Sequence, residues 1–464
     1  MLAWLDSPLA TFFCTVARFK GSRGSCSLRS HSPVATFFCT VGAQFKVWRI
    51  TFGMKQTLRE VQRTYLTLQL FNTLAASLIW GINTLFLLDA GLNNLQAFAA
   101  NAFFTAGFVL FEIPTGVVAD MRGRRTSYLL GVLTLAISTL LYLYMWYVSA
   151  PFWAWAVASV FLGLGFTFLS GAFEAWLADA LESAGAKEKL ESVMARGEIV
   201  EGASMLVGSV AGGAIAQATN LGVPYVIRAG LLVLNLVFAL LLMRDLGFEP
   251  ARGKRMTAEI KRILRASFKH GLGNRPVRWI MFASPFTGGV TIYAFYAMQP
   301  YLLQLYGESK AYGVAGLAAA IVAGAQIAGG LLVPYLVKVF DRRTTLLIGC
   351  EVISVVVLAI IGFVPNFWVA VVLLVLWGLM FSAVTPIRQA YINALIPSQQ
   401  RATVLSFDSL FGSTGGVVLQ PVLGKAADVW GYPVSYRLCA VFQIFAIPFT
   451  WLARREHAKA DLID

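Results

Sequence analysis

Glu112, Gly116 and Asp120 stand four residues apart. On a helix they share one face, and Glu112 lies about 12 Å deeper than Asp120 at 1.5 Å per residue. The residues around Glu112 are apolar, and an ionisable group costs about 2.5 to 3.5 kcal/mol in hydrocarbon, so it normally faces a cavity or a partner. Glu112 is therefore a candidate proton carrier; the alternative is a buried hydrogen bond that fixes the helix around Pro114. Glu174 and Glu201, also set among apolar residues, are the other proton-coupling candidates. Arg388 sits at a related depth in the second half of the chain, and the expectation is that it faces Glu174 across a pathway and closes it when paired. Glu198 and Asp408 lie at comparable depth, with a solvated helix-end charge the simpler reading for Glu198 and Asp179. The three histidines, His31, His270 and His457, fall outside the apolar runs, which leaves no imidazole there as base, shuttle or metal ligand. The five cysteines show no metal-ligand spacing. No catalytic residue, metal or cofactor is expected, and no nucleotide-binding loop is present, so an ion gradient is the expected drive.

The elements that position these groups are helices of membrane length. Hydrophobic residues make up 58% of the chain and charged residues 13%, against about 25% charged in soluble domains; the mean hydropathy is +0.70. A span needs about 20 mainly apolar residues, because each backbone amide must find its partner within the helix. Such segments are expected over residues 65–89, 96–118, 127–148, 151–181, 192–217 and 223–243, and again over 279–305, 314–337, 346–364, 367–395, 404–424 and 435–452. The fold class is an all-α polytopic membrane protein.

The second half repeats the first. Phe86, Leu87, Leu88 and Asp89 recur as Tyr301, Leu302, Leu303 and Gln304, and Ala175, Trp176 and Leu177 recur as Ala390, Tyr391 and Ile392. Pro114 with Asp120 and Arg124-Arg125-Thr126 matches Pro334 with Asp341 and Arg342-Arg343-Thr344. Ser204, Gly208, Ser209 and Gly212 match Gly416, Gln420, Pro421 and Gly424. Ordered matches at nearly constant offset indicate two homologous halves, an arrangement that places a substrate site between repeats.

The net charge of +14 reads as topology and not as nucleic-acid binding. Basic residues crowd alternate connections, most of all the central one, where Lys261, Arg262, Arg265 and Lys269 alternate with Met256, Ile260, Ile263, Leu264 and Phe268 at helical spacing. The positive-inside rule then puts both termini and this connection in the cytoplasm of a multi-pass plasma-membrane protein. The central segment reads as an amphipathic helix on the anionic inner membrane surface. The expected organisation is a six-helix bundle over 54–243, a basic linker over 244–278, a second bundle over 279–452 and a cytoplasmic tail over 453–464. Residues 1–53 carry a 25-residue repeat, in which Ser7-Pro8 and Thr11-Phe12-Phe13-Cys14 return as Ser32-Pro33 and Thr36-Phe37-Phe38-Cys39. This tail is expected to be disordered, or to precede a true start at Met54.

The run from Glu112 to Arg125, with Gly116, Asp120, Gly123, Arg124 and Arg125 joining the second and third spans, resembles the signature of the major facilitator superfamily. The resemblance covers Met54 to the C-terminus and implies twelve helices in two pseudo-symmetric six-helix bundles. It also implies that these five residues, with Arg388, form a cytoplasmic gate. Met121 stands where the family has a basic residue. Gly208, Gly212 and Gly213, with Pro421 and Gly424 in the repeat, are similar to the family's exporter-associated packing pattern, although Ser204 and Ser209 replace its first glycine and its proline. Ser159 stands where proton-coupled exporters carry arginine. By the same resemblance spans one, four, seven and ten line the central cavity, which makes Asn83, Tyr293, Tyr296, Gln299 and Trp377 the substrate-contact candidates.

Together these readings describe a secondary transporter working by alternating access, with proton-coupled efflux of small, partly apolar compounds as the leading function. Proton-coupled uptake of a sugar or other small metabolite is the alternative, followed by a non-transporting sensor or a lipid-modifying enzyme. The expected partners are a small-molecule substrate, protons or another ion, and membrane lipids. The protein is expected to be a monomer that binds no nucleic acid.

Overall fold

The computed structural model describes residues 57–248 and 256–463. The N-terminal tail with its repeat, residues 1–53, lies outside the described residues. The chain opens on α1 (Leu58–Trp80), whose first turn is closed by a capping box between Thr57 and Glu60. After a break at Gly81–Ile82 follow α2 (Asn83–Asp89), α3 (Asn94–Arg122), α4 (Arg124–Tyr147), α5 (Phe152–Leu169), α6 (Ala172–Ser183), α7 (Leu190–Ala218) and α8 (Gly222–Leu242). A short helix, α9 (Met256–Ser267), leads to α10 (Arg275–Tyr306), α11 (Tyr312–Leu336), α12 (Arg343–Phe363), α13 (Phe367–Leu395), α14 (Arg401–Ile444) and α15 (Ala446–Arg455).

Ten helical stretches are long and apolar enough to cross a membrane, and α1 with α2, bent by 51°, makes an eleventh. The stretch Ser398–Arg455 has 58 residues, far too many for one crossing of about 30 Å. It turns back at Gly431 (φ 81°, ψ 167°), a left-handed conformation open to glycine, and so crosses twice. That brings the crossings to twelve, as the hydropathy pattern predicts. Two spans depart from the single rods expected. The first breaks at Gly81–Ile82, and the fourth breaks between α5 and α6 at Gly171 (φ +67°).

In the N-terminal bundle α3 packs on α5, α1 on α7 and α8, and α4 on α5 and α8. The C-terminal bundle repeats the plan, with α10 on α14 and α15, α11 on α13, and α12 on α13 and α14. Each has its own aromatic core. Phe86, Tyr142, Trp155 and Tyr225 pack together in the first, and Tyr301, Tyr432 and Tyr436 in the second. The bundles meet along two long seams, α3 against α14 and α7 against α11, with α2 touching α10. Helix α9 packs against α3 and α14, so it bridges the bundles as well as being amphipathic. Below, the face carrying the start of α1 and helix α9 is called the linker face, and the opposite one the far face.

Candidate functional site

The bundles are joined at the far face. Gln299 of α10 reaches the break in the first span, where its Oε1 accepts from the Thr84 amide at 2.9 Å and its Nε2 donates to the Trp80 carbonyl at 2.6 Å. It thereby satisfies backbone groups that the broken helix leaves open, which in lipid must find partners. Thr84 also donates to the Tyr296 carbonyl at 3.0 Å. Asp428 accepts from the amides of Asn94 and Leu95 at 2.9 and 2.8 Å, a carboxylate at the N-terminus of α3. Nearer mid-depth, Gln420 donates to Thr105 at 3.1 Å. Glycines allow the close approach: a Cβ on Gly213 would lie 2.8 Å from Gly316, and one on Gly424 2.9 Å from Phe98. Gly208 and Gly212 face Ser77 and Leu78 of α1, where a Cβ would lie only 1.9 Å away, while Pro421 is half-buried in α14. On the linker face no hydrogen bond or ion pair joins the two bundles among the described residues.

The gate signature accordingly works inside the N-terminal bundle. Asp120 pairs with Arg124, and Arg124 Nε lies 3.7 Å from Asp179, which ties α3 and α4 to α6. Asp179 is thus an ion-pair partner and not only a solvated charge. The Arg125 amide donates to Asp245 at 2.8 Å and its guanidinium to the Leu240 carbonyl at 2.8 Å. Gly123 (φ +111°) packs against the same Asp245 carboxylate. Gly116 meets no neighbour where its Cβ would be, so the close helix contact expected there is absent with the linker face parted.

The expected pair of Glu174 and Arg388 does not form. Glu174 is exposed, and Arg388 Nη2 instead donates to Asp408 Oδ1 at 2.6 Å, to Ser284 Oγ, and to the Ile280 carbonyl at 3.2 Å. Asp408, one helix away in the same bundle, satisfies the guanidinium without crossing the pathway. Ser284 joins the pair by donating to Asp408 at 3.1 Å. Glu201 accepts from Gln69 at 2.7 Å, and Glu112 Oε1 accepts from Ser170 at 2.8 Å while its Oε2 is buried without a partner.

A cavity of about 340 Å³ opens within the C-terminal bundle around the Arg388–Asp408 pair. Its walls include Ile292, Trp377, Phe381, Val384 and Leu405, with Ser354 and Gln443 as polar points. Glu351 of α12 also lines it. This carboxyl is 6% exposed; Oε1 accepts from Thr450 of α15 at 2.8 Å, and Oε2 has no partner. Arg388 is its electrostatic neighbour. Glu351, Arg388 and Asp408 each lie seven or eight residues in from the linker-face ends of their helices, about 10 to 12 Å deep at 1.5 Å per residue. Sequence reasoning did not select Glu351, although a lone glutamate in the run Leu346 to Val357 carries the same signal as Glu112.

Of the five substrate-contact candidates, Trp377 lines this cavity. Gln299 belongs to the far-face closure. Asn83 is buried, donating to Asn101 at 3.0 Å and accepting from Tyr225 at 2.9 Å. Tyr293 is buried against Ser435 and the Leu423 carbonyl, and Tyr296 is half-buried at the seam.

The sequence matches the profile of the Major Facilitator Superfamily over residues 65–350 and 311–463. No curated protein matches. Among solved structures, the nucleoside transporter NupG is similar with a TM-score of 0.71 at 13% identity, covering 84% of this chain and 98% of that one. A bacterial homolog of the human lysosomal transporter Spinster, in an inward-facing and unoccupied conformation, gives 0.69 at 16% identity, covering 88% and 99%. The D-xylose-proton symporter gives 0.63 at 15% identity, covering 85% and 98%.

Proposed function

The chain belongs to the Major Facilitator Superfamily, and from that premise we propose that this multi-pass membrane transporter exports small, partly apolar compounds in exchange for protons. The linker face is the cytoplasmic face of the plasma membrane, and the bundles rock about the far-face and mid-depth seams to expose a central site alternately to either side. The observation that carries the reading is Glu351, a buried carboxyl with one unpartnered oxygen, set beside an ion pair in a cavity walled by aromatic and aliphatic side chains. A carboxyl so placed binds and releases a proton without leaving hydrocarbon, and the apolar walls accept the body of a solute. Arg388 and Asp408 balance each other's charge, so Glu351 is the group whose protonation changes the net charge of the cavity.

Glu351 therefore takes the coupling role ahead of Glu112, Glu174 and Glu201. The test is proton release by purified protein on addition of lipophilic cations, neutral drugs, aromatic carboxylates and sugars, with Glu351→Gln and Glu112→Gln in parallel. Ligand-linked proton release that vanishes in Glu351→Gln and persists in Glu112→Gln is the expected outcome. Release that is unchanged in Glu351→Gln would sink the assignment.

Uptake is the rival reading, since the fold is shared with a protein described as a D-xylose-proton symporter. Direction is read in proteoliposomes carrying an internal pH indicator. Exchange moves protons against the flow of solute, whereas symport moves them with it.

A further inference from the structure

Arg228 is a full charge buried in the N-terminal bundle with no acid beside it. It stands six residues into α8 from the far face and is 2% exposed. Its Nε donates to Thr139 Oγ1 at 3.1 Å and its Nη1 to the Ala75 carbonyl at 2.8 Å. A guanidinium carries five N–H donors, and these two bonds to neutral acceptors are all it makes among the described residues. No carboxylate there lies within ion-pair distance. Its electrostatic neighbours are phenols, Tyr225 and Tyr142 of its own bundle and Tyr296 of the other. The Tyr225 and Tyr142 hydroxyls are engaged by Asn83 and Ser159 at 2.9 and 2.6 Å. The Tyr296 hydroxyl makes no hydrogen bond among the described residues.

Withdrawing a lone cation from water costs more than two neutral hydrogen bonds offset. An unpaired charge with a phenol of the other repeat as neighbour is the arrangement that remains when the missing anion is supplied from outside the protein. We propose that Arg228 and the phenol of Tyr296 together bind the carboxylate of the transported solute, a small monoanion with an apolar body.

The charge balance sets the class. One carboxylate against one guanidinium leaves the site neutral, whereas a phosphate dianion would add negative charge to a pathway that, beyond the paired Arg388 and Asp408, already holds the buried Glu351 and the half-buried Glu112 and Glu201. The surroundings favour an apolar body: the charge is backed by the aromatic core, where Phe86 stacks on Tyr225 at 3.9 Å and Trp155 meets Tyr142 edge-on at 5.2 Å. Because one ligand group comes from each bundle, separating the bundles at the far face breaks the site and frees the solute. This assignment rests on the export reading for the fate of the solute, and on the geometry alone for its binding.

The test is thermal unfolding of the purified full chain in detergent with benzoate, its neutral analogue benzamide, and inorganic phosphate. Millimolar benzoate is expected to raise the wild-type Tm by several degrees, and benzamide and phosphate to leave it unchanged. Arg228→Met is expected to abolish the benzoate shift while its ligand-free Tm stays at or above that of the wild type, since an unpaired buried charge has been removed. Tyr296→Phe keeps the ring and the buried charge and is expected to weaken benzoate binding, which reads the same site should Arg228→Met not accumulate. No shift with benzoate, an equal shift in Arg228→Met, or an equal shift with phosphate overturns the proposal. A benzoate shift in a protein without proton exchange leaves the carboxylate site standing and removes the export reading, so the two fail separately.

Discussion

Arg388, Asp408 and Ser284 form a polar unit in which each is bonded to another although Arg388 Nε has no partner, and half of it removed is worse than all of it removed. Asp408→Asn removes the ion-pair partner of the half-buried guanidinium and is expected to cost about 1.5 to 3 kcal/mol, the worth of a hydrogen bond to a charged group. The double variant Arg388→Met with Asp408→Leu is expected to melt closer to the wild type, because an apolar pair of similar volume leaves no charge unpaired. Chemical or thermal unfolding of the three proteins checks the order. At this scale the chain was partly legible. The rule that drew attention to Glu112, a charge alone in an apolar run, applies equally to Glu351 and Arg228, so both were within reach. Their partners were not: Thr450 lies 99 positions from Glu351, and Arg388 took Asp408 in place of Glu174 because side-chain direction depends on helix rotation, which spacing does not specify.

The elements followed hydrophobic periodicity closely, since a helix in lipid has no other way to satisfy its backbone. What periodicity cannot express is a break inside a continuous apolar run. Gly81 and Gly171 interrupt the first and fourth spans at points where the flanking residues stay apolar. The first break is held by Gln299 from the other bundle. Gln299→Leu is expected to leave the Thr84 amide and the Trp80 carbonyl unpaired at about 1 to 3 kcal/mol each, lowering the melting temperature and loosening the far-face closure. Amide hydrogen exchange at Ile82 to Phe86 is the measurement, and unchanged protection there would show that the break holds without its clamp.

In the whole molecule the hydrogen bonds between the bundles among the described residues all lie on the far-face side or near mid-depth, and in the proposed alternating-access cycle the balance between the two states depends on them. Asp428 caps the α3 N-terminus from the opposite bundle, and a charge in that position contributes about 0.3 to 1 kcal/mol. Asp428→Asn is expected to shift the population toward the far-face-open state by about twofold to fivefold. Spin-label distances between the far-face ends of α3 and α14 report it, and an unaltered distance distribution would remove Asp428 from the closure. By itself the sequence determined the membrane class, the twelve crossings, the duplication and the signature of the superfamily. These follow from composition, from a period fixed by the helix and from residues close together in the chain. Only the tertiary structure decided which face is closed, that the gate signature ties its own bundle together, and that Glu351 lines one cavity with Arg388 and Asp408 while Arg228 meets no acid. Those outcomes depend on how helices far apart in sequence are rotated and packed, and no local pattern encodes that.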